Sequence, residues 1–222
     1  MSAVTAHTET ERRIRAVSAP RPVLGRDRER ALTPRQRHIL DGLGTTFEGG
    51  FADLTMAEIA SRMGCSLRTL YALAPSRDEL VLTVLDRNLW RVGRRARGAI
   101  APDMAPLDAV RAYLRAATVA VSRYTEAFAR DMAAVPTAKQ VGAGHSEYLF
   151  AVTQALLDAS VECGEIPDID TAALARVLAN LGDLFIRPHV IPTLRSSPKA
   201  AADEVLDVVL QGLRTADRNG TP

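Results

Sequence analysis

The 222-residue chain is poor in cysteine, with Cys65 and Cys163 its only two. Two cysteines cannot form a disulfide framework, and neither has a neighbouring Cys or His to complete a zinc site. His145 and His189 lack a second ligand three or four residues away, so no metal is expected. Aromatic residues make up 5%, which leaves aliphatic and alanine contacts to supply most of the packing. No apolar run approaches the ~18 residues of a membrane span. Met1 to Leu24 is interrupted by Glu9, Glu11, Arg12, Arg13 and Arg15, so the apolar core of a secretion signal is missing. A cytoplasmic protein with reduced thiols and no membrane partner is the expectation. No segment alternates polar and apolar residues as a half-buried strand does. The motifs of common enzymes are also missing: a Gly-rich phosphate loop, His-Glu-x-x-His, a nucleophile elbow and paired cysteines. Val141-Gly142-Ala143-Gly144 follows no strand and reads as a loop. Neither catalysis nor a cofactor is expected.

What is present begins with an uneven charge. The formal net charge is only +2, yet residues 1–100 hold 17 Lys/Arg against 11 Asp/Glu, and residues 101–222 hold 11 against 15. A basic front half and an acidic back half suit a polyanion-binding module joined to a different one. Residues 1–32 contribute seven of the arginines, together with Pro20 and Pro22, and show no sustained periodicity. They read as a mobile basic arm or as a solvated tail.

From there the chain punctuates as helices. Thr33 is an N-cap followed by Pro34 at the first helical position, and Ile39, Leu40, Leu43 and Phe47 recur at helical spacing until Gly49-Gly50. Thr55 with Glu58 forms a capping box that opens a helix to about Met63. Gly64 permits a turn, and Ser66 caps a short helix through Leu73. Ser76 with Glu79 is a second capping box, opening a long helix with Leu80, Val84, Leu85, Leu89 and Val92 along one stripe. Further helices are predicted over Leu107–Ser122, Thr125–Ala134 (stopped before Pro136), His145–Glu162, Asp170–Pro188 and Ala200–Leu213. The fold class is all-α.

The most informative stretch is TMAEIASRMGCSLRTLYALAPSRDEL, residues 55–80. Two short capped helices separated by Gly64-Cys65-Ser66 form a helix-turn-helix, whose second helix enters the DNA major groove. Ile59, Ala60, Met63 and Leu70 are placed to pack the two helices together, with Cys65 small enough for the turn. That leaves Leu67, Arg68, Thr69, Tyr71 and Ala72 outside. Arg68 has the fork to take guanine O6 and N7. The Thr69 and Tyr71 hydroxyls, with the free N–H groups at the Ser66 helix start, suit phosphate oxygens. An ordinary helical hairpin with a solvated Arg68 is the competing reading. Cys65 has two readings: a buried packing residue, or a redox switch whose thiolate Arg62 and Arg68 favour. Arg91, Arg94, Arg95 and Arg97 read as a solvated face near a helix end.

Over Arg37 to Val84 the chain resembles the DNA-binding domain of the tetracycline-repressor (TetR) family of bacterial transcription regulators. The residues that carry the resemblance are Ile39-Leu40, Phe47, Gly50-Phe51, Leu54-Thr55, Glu58-Ile59-Ala60, Gly64-Cys65-Ser66, Thr69-Leu70-Tyr71 and Pro75 to Leu80. Arg77 stands where the family usually has lysine and keeps the positive charge for the DNA backbone. Leu73 and Ala74 replace a histidine or tyrosine and then a phenylalanine. One phosphate contact is lost, and Leu73 or Leu80 must fill the space of the missing ring. Thr46 occupies a commonly apolar position, and the loop to Phe51 is about one residue short.

The residues and the resemblance together give three segments: a basic arm at 1–32 that extends beyond the family's usual start, a helix-turn-helix domain at 33–80, and a helical effector-binding and dimerisation domain at 81–222. It implies a homodimer that binds a palindromic double-stranded DNA operator, with Thr55, Ser66, Leu67, Arg68, Thr69, Tyr71 and Arg77 at the DNA. A small-molecule effector, apolar or aromatic, is expected among Trp90, Tyr113, Phe128, Met132 and Tyr148. The dimer contact is expected through Leu181, Leu184 and Phe185 with Val205, Val208 and Val209. Arg21, Arg26, Arg28 and Arg30 of the arm are expected to add phosphate or minor-groove contacts. A ligand-responsive repressor function is the expectation, with two rivals. One is a DNA-binding factor without an effector; the other is a helical ligand-binding or enzymatic bundle with a vestigial helix-turn-helix.

Overall fold

The computed structural model describes residues 3–121, 125–135, 137–187 and 189–216. Among these are twelve α-helices, one 3-10 turn at Ile191–Thr193, and no strand, so the chain is all-α. The predicted helix ends at Ser122 and Pro188 and the stop at Pro136 lie outside the described residues. The helices are α1 (Ala3–Ala16), α2 (Arg26–Ala31), α3 (Pro34–Glu48), α4 (Met56–Arg62), α5 (Leu67–Leu73) and α6 (Arg77–Gly98). They continue as α7 (Pro106–Val121), α8 (Glu126–Ala134), α9 (Ala138–Glu162), α10 (Thr171–Ala179), α11 (Leu181–Phe185) and α12 (Pro198–Ala216).

Local chemistry sets most of the boundaries. The Thr33 hydroxyl accepts the Gln36 N–H, and the Gln36 side chain returns to the Thr33 N–H, closing a capping box at α3. Thr55 and Glu58 do the same at α4. Single side-chain caps by Ser66, Thr125 and Asp170 open α5, α8 and α10. Each cap satisfies an N–H that the helix itself leaves without a partner.

Three sequence expectations change. Residues 1–32 are not a featureless arm: they carry α1 and α2, and Ile14, Leu24 and Leu32 are buried. Isolated anchors this far apart leave no helical period in the sequence. Val141 to Gly144 lies inside α9, not in a loop. Ala138 and Val141 pack against a core there, and burial outweighs the poor helix propensity of two glycines. The helix expected from Asp170 is broken at Asn180, whose side-chain amide donates to the Arg176 carbonyl at 2.7 Å. A side chain that takes backbone groups competes with the helix it sits in.

The chain divides into two compact units, and the division does not follow the 80/81 boundary expected from the sequence. One unit comprises Pro20–Arg91 and Arg123–His145; the other comprises Met1–Ala19, Val92–Ser122 and Ser146–Pro222. The first, called here the head, has a core centred on Ile39, Leu40, Leu43, Ile59, Leu70 and Leu80. Phe47, Phe51 and Phe128 join it in series, with ring centroids 5.5 and 6.0 Å apart. The second, the body, packs Leu107, Val110, Tyr113, Leu156, Leu157 and Leu210 at its centre. Tyr113 is 1% exposed there, and α11 and α12 lie against α7.

Candidate nucleic-acid interface

The head builds its helix-turn-helix from buried contacts outward. Ile59, Ala60 and Leu70 seal α4 against α5, and Met63 and Cys65 pack beside them. Gly64, at φ +57°, makes the turn in the left-handed region that favours glycine. Leu73, Ala74 and Leu80 are packed into the head core, all at or below 2% exposure. Thr46 is accommodated because its hydroxyl donates to the Gly42 carbonyl at 3.1 Å.

With that face sealed, α5 presents Leu67, Arg68, Tyr71 and Ala72 outward, and Tyr71 is 53% exposed. Thr69 is half-buried; its hydroxyl is 2.9 Å from that of Ser66, which also accepts the Thr69 N–H. Arg68 has no side-chain partner among the described residues, and its fork is free for an external acceptor. The structure therefore brings Ser66, Leu67, Arg68, Thr69 and Tyr71 together on one short helix. Thr55 stands apart as the cap of α4. Its backbone N–H and hydroxyl both bond Glu58 Oε2, at 2.8 and 2.7 Å, and this holds the Glu58 carboxyl below its ordinary pKa.

Arg77 is more committed than its expected role requires. One guanidinium nitrogen donates to the Ala52 carbonyl at 2.8 Å, and two others face Asp78 Oδ1 at 3.2 and 3.1 Å. The same loop is held from the other side by Asp131 of α8, which is 7% exposed. Asp131 Oδ2 accepts the N–H groups of Phe51 at 2.6 Å and Ala52 at 2.8 Å. Thr125 adds a hydrogen bond to the Glu48 carbonyl at 2.9 Å. Asp131 was invisible to sequence reasoning, since its partners lie about 80 residues away and no local motif marks it.

Two more arginines act on backbone carbonyls. Arg35 donates to the Met63 and Gly64 carbonyls at 3.3 and 2.8 Å, closing the end of α4. Arg28 donates to the Ala72 and Leu73 carbonyls at 3.4 and 3.2 Å, at the end of α5. Arg21, Arg26, Arg28 and Arg30 are all exposed. Burial pushes the Cys65 thiol above its ordinary pKa, and the nearby Arg35 opposes this only in part. Such an environment favours the packing reading of Cys65 over a reactive thiolate.

The expected effector residues do not gather in one unit. Trp90, Phe128 and Met132 belong to the head; Tyr113 and Tyr148 belong to the body. Phe128 and Met132 pack in the head core, and Trp90 meets the edge of His145, with ring centroids 5.6 Å apart. His145 Nε2 is 2.8 Å from Asp86 Oδ1, so its partner is a carboxylate. In the body, Arg97 donates to the Tyr148 hydroxyl at 3.3 Å. Burial raises the Tyr113 phenol far above its ordinary pKa; Tyr148 adds to this and Arg97 opposes it. Beside Arg97 lies a cavity of about 100 Å³ lined by Glu11, Ile14, Arg15 and Ile100. Small-molecule sites usually measure roughly 300–1,000 Å³.

Of the expected dimer residues, Leu184, Val205 and Val208 are exposed, Val208 at 66%. Phe185 and Val209 are half-buried against the body core, and Leu181 is inside it. Val177 of α10, at 59% exposure, is a further exposed apolar side chain of the body that was not anticipated. Among the described residues no three His, Cys, Asp or Glu side chains gather as a metal site, and no helix is long and apolar enough to cross a membrane.

Comparison with known proteins identifies the family. The chain is 30% identical over 183 residues to the HTH-type transcriptional repressor KstR of Rhodococcus jostii, covering 78% of this chain and 81% of that one. Among solved structures, the TetR transcriptional regulator SCO0520 of Streptomyces coelicolor is 26% identical, with a TM-score of 0.53. That match covers 81% of this chain and 98% of the other. A TetR transcription regulator from Haloarcula marismortui shares the fold at a TM-score of 0.68 and 19% identity, over 82% and 99% of the two chains. No family model matches the chain. The class that fold and site define is a helix-turn-helix transcription regulator. The chain belongs to the TetR family.

Proposed function

We propose that this regulator is a repressor that binds a palindromic DNA operator as a homodimer and releases it when a small molecule binds. The observation that carries this reading is the outer face of α5, where Leu67, Arg68 and Tyr71 are exposed above a sealed α4–α5 contact. Arg68 reads a guanine through its fork, and Tyr71 and the α5 N-terminus hold phosphates. The name of the KstR relative as a transcriptional repressor supports the sign of regulation.

Dimerisation through α11 and α12 accounts for Leu184, Val205 and Val208, apolar side chains that a solitary body leaves in water. Two recognition helices then sit one DNA turn apart, ~34–36 Å, on successive major-groove faces. The effector enters the body near Tyr113 and Tyr148, whose rings and hydroxyls suit an apolar molecule with a polar end. The ~100 Å³ cavity beside Arg97 must open further to admit one. An effector that binds the DNA-incompetent state a few kcal/mol more tightly suffices to empty the operator.

Footprinting the DNA upstream of the chain's own gene tests the reading. The expected result is a palindrome with two protected half-sites, lost in Arg68→Ala, whose specific affinity falls by about 1–3 kcal/mol. A single unpaired protected site excludes the dimer. Equal binding to every DNA offered excludes sequence-specific repression.

A further inference from the structure

Residues 20–32 are built into the head rather than hung from it. Leu24 and Leu32 join the head core, at 5% and 8% exposure. The Val23 N–H donates to Asp86 Oδ2 at 2.9 Å, and Glu29 pairs with Arg87 of α6. The Arg30 carbonyl accepts from Arg37 of α3 at 3.2 Å. A segment held at both ends and along its length is a fixed strap.

What the strap delivers is Arg28, at the end of α5. Helix α5 is seven residues long, and Ala74 turns away in extended backbone at φ −151°, returning one N–H to the Leu70 carbonyl. The carbonyls of Tyr71, Ala72 and Leu73 thus have no partner within the helix. A single Arg28 guanidinium nitrogen, Nη2, reaches both the Ala72 and the Leu73 carbonyl. It also places positive charge at the negative end of the α5 dipole. Tyr71 lies in the same last turn as these carbonyls, so a frayed end would loosen a side chain on the DNA-facing surface.

We propose that Arg28 is a positioning residue for DNA reading: it fixes the last turn of the recognition helix and makes no phosphate contact itself. This replaces the sequence expectation for Arg28 and leaves Arg21, Arg26 and Arg30 as the residues of that segment open to phosphate. The proposal rests on α5 being the DNA-reading helix, as argued above.

The two roles have different salt signatures. A phosphate contact contributes about one unit to the slope of log affinity against log salt, on any DNA sequence. A positioning residue changes the preference for the operator over random DNA and leaves the slope alone. The experiment compares full-length wild type, Arg28→Ala and Arg28→Lys on the footprinted upstream duplex and on a scrambled duplex, across a salt series. Arg28→Ala should bind the upstream duplex roughly fivefold more weakly, with unchanged salt slope and unchanged binding to the scrambled duplex. Arg28→Lys, which keeps the charge and a single donor nitrogen on a differently shaped head group, should recover part of the loss. Equal loss on both duplexes with a slope reduced by about one overturns the proposal in favour of a phosphate contact; no loss at all also overturns it.

Hydrogen exchange of the DNA-free protein separates this proposal from the reading beneath it. In Arg28→Ala the amides of Leu70 to Ala74 should exchange faster, while those of α4 keep wild-type rates. Unchanged exchange at these amides overturns the proposal even where α5 reads DNA. Faster exchange, with a wild type that does not distinguish the two duplexes, upholds the capping role and overturns the DNA-reading role.

Discussion

The head and the body use charge in opposite ways. In the head, Arg28, Arg35, Arg77 and Asp131 each reach a backbone carbonyl or N–H of a loop or helix end. In the body, charged side chains mostly meet one another. Arg111 and Arg115 of α7 both bond Asp207 of α12, and Arg111 and Arg214 share Asp108 Oδ1. Arg13 of α1 pairs with Glu162 at 2.7 Å. A charge spent on a backbone group fixes the path of the chain; a charge spent on another charge ties elements together and yields to salt. The head must present short helices in one geometry, and these four charges serve that, beside side-chain pairs of its own such as Arg87–Glu29 and Arg87–Asp41.

The comparison breaks most visibly at Asp131. Asp131→Ala leaves the Phe51 and Ala52 N–H groups without their acceptor in a mostly buried setting. It should lower unfolding free energy by about 2–4 kcal/mol, nearly independent of salt. Urea unfolding at two salt concentrations measures this. A loss under 0.5 kcal/mol, or one erased by salt, would place Asp131 with the body's surface pairs.

Asp207 is the matching test in the body. Its side chain is 39% exposed and Arg115 is 43% exposed, so solvent screens the network. Asp207→Asn should cost about 1 kcal/mol or less at low salt, shrinking as salt rises. A large salt-independent loss would mean that the body, too, relies on charge for shape.

The smallest effect is a pH dependence at Glu58. Its exposed carboxyl has a folded pKa below the ordinary 4.5 because the Thr55 backbone N–H and hydroxyl favour the charged form. The stabilisation is therefore complete above about pH 4.5 and fades as pH falls through the lower folded value. Melting curves of wild type and Glu58→Gln should differ at pH 7 and converge on acidification. A difference that grows with acid would reverse the sign and remove the capping box as its cause.

Much of the head was legible because its determinants are local. The caps expected at Thr33 and Ser66 and the Thr55–Glu58 box are all present, each bonding a group three residues along the chain. Ile59, Ala60 and Leu70 followed from helical spacing. The Arg77 and Asp131 contacts on the Ala52 loop were not legible, because each depends on tertiary placement across 25 to 79 residues. The strap was misread for the same reason: Leu24 and Leu32 are single anchors and generate no period. In the body, Asp170 marked its helix start, but Asn180 broke the helix by a side-chain bond that composition does not announce.

The two cysteines fall one in each unit, and their environments differ. Cys163 is exposed just past the end of α9, and Cys65 is packed in the α4–α5 turn with a thiol that resists ionisation. A maleimide dye should therefore label Cys163 first, giving a single fluorophore on the body of the unmutated chain. The slower second addition then becomes a clock for opening of the turn. Operator DNA that clamps α4 and α5 would slow that clock without touching the first label.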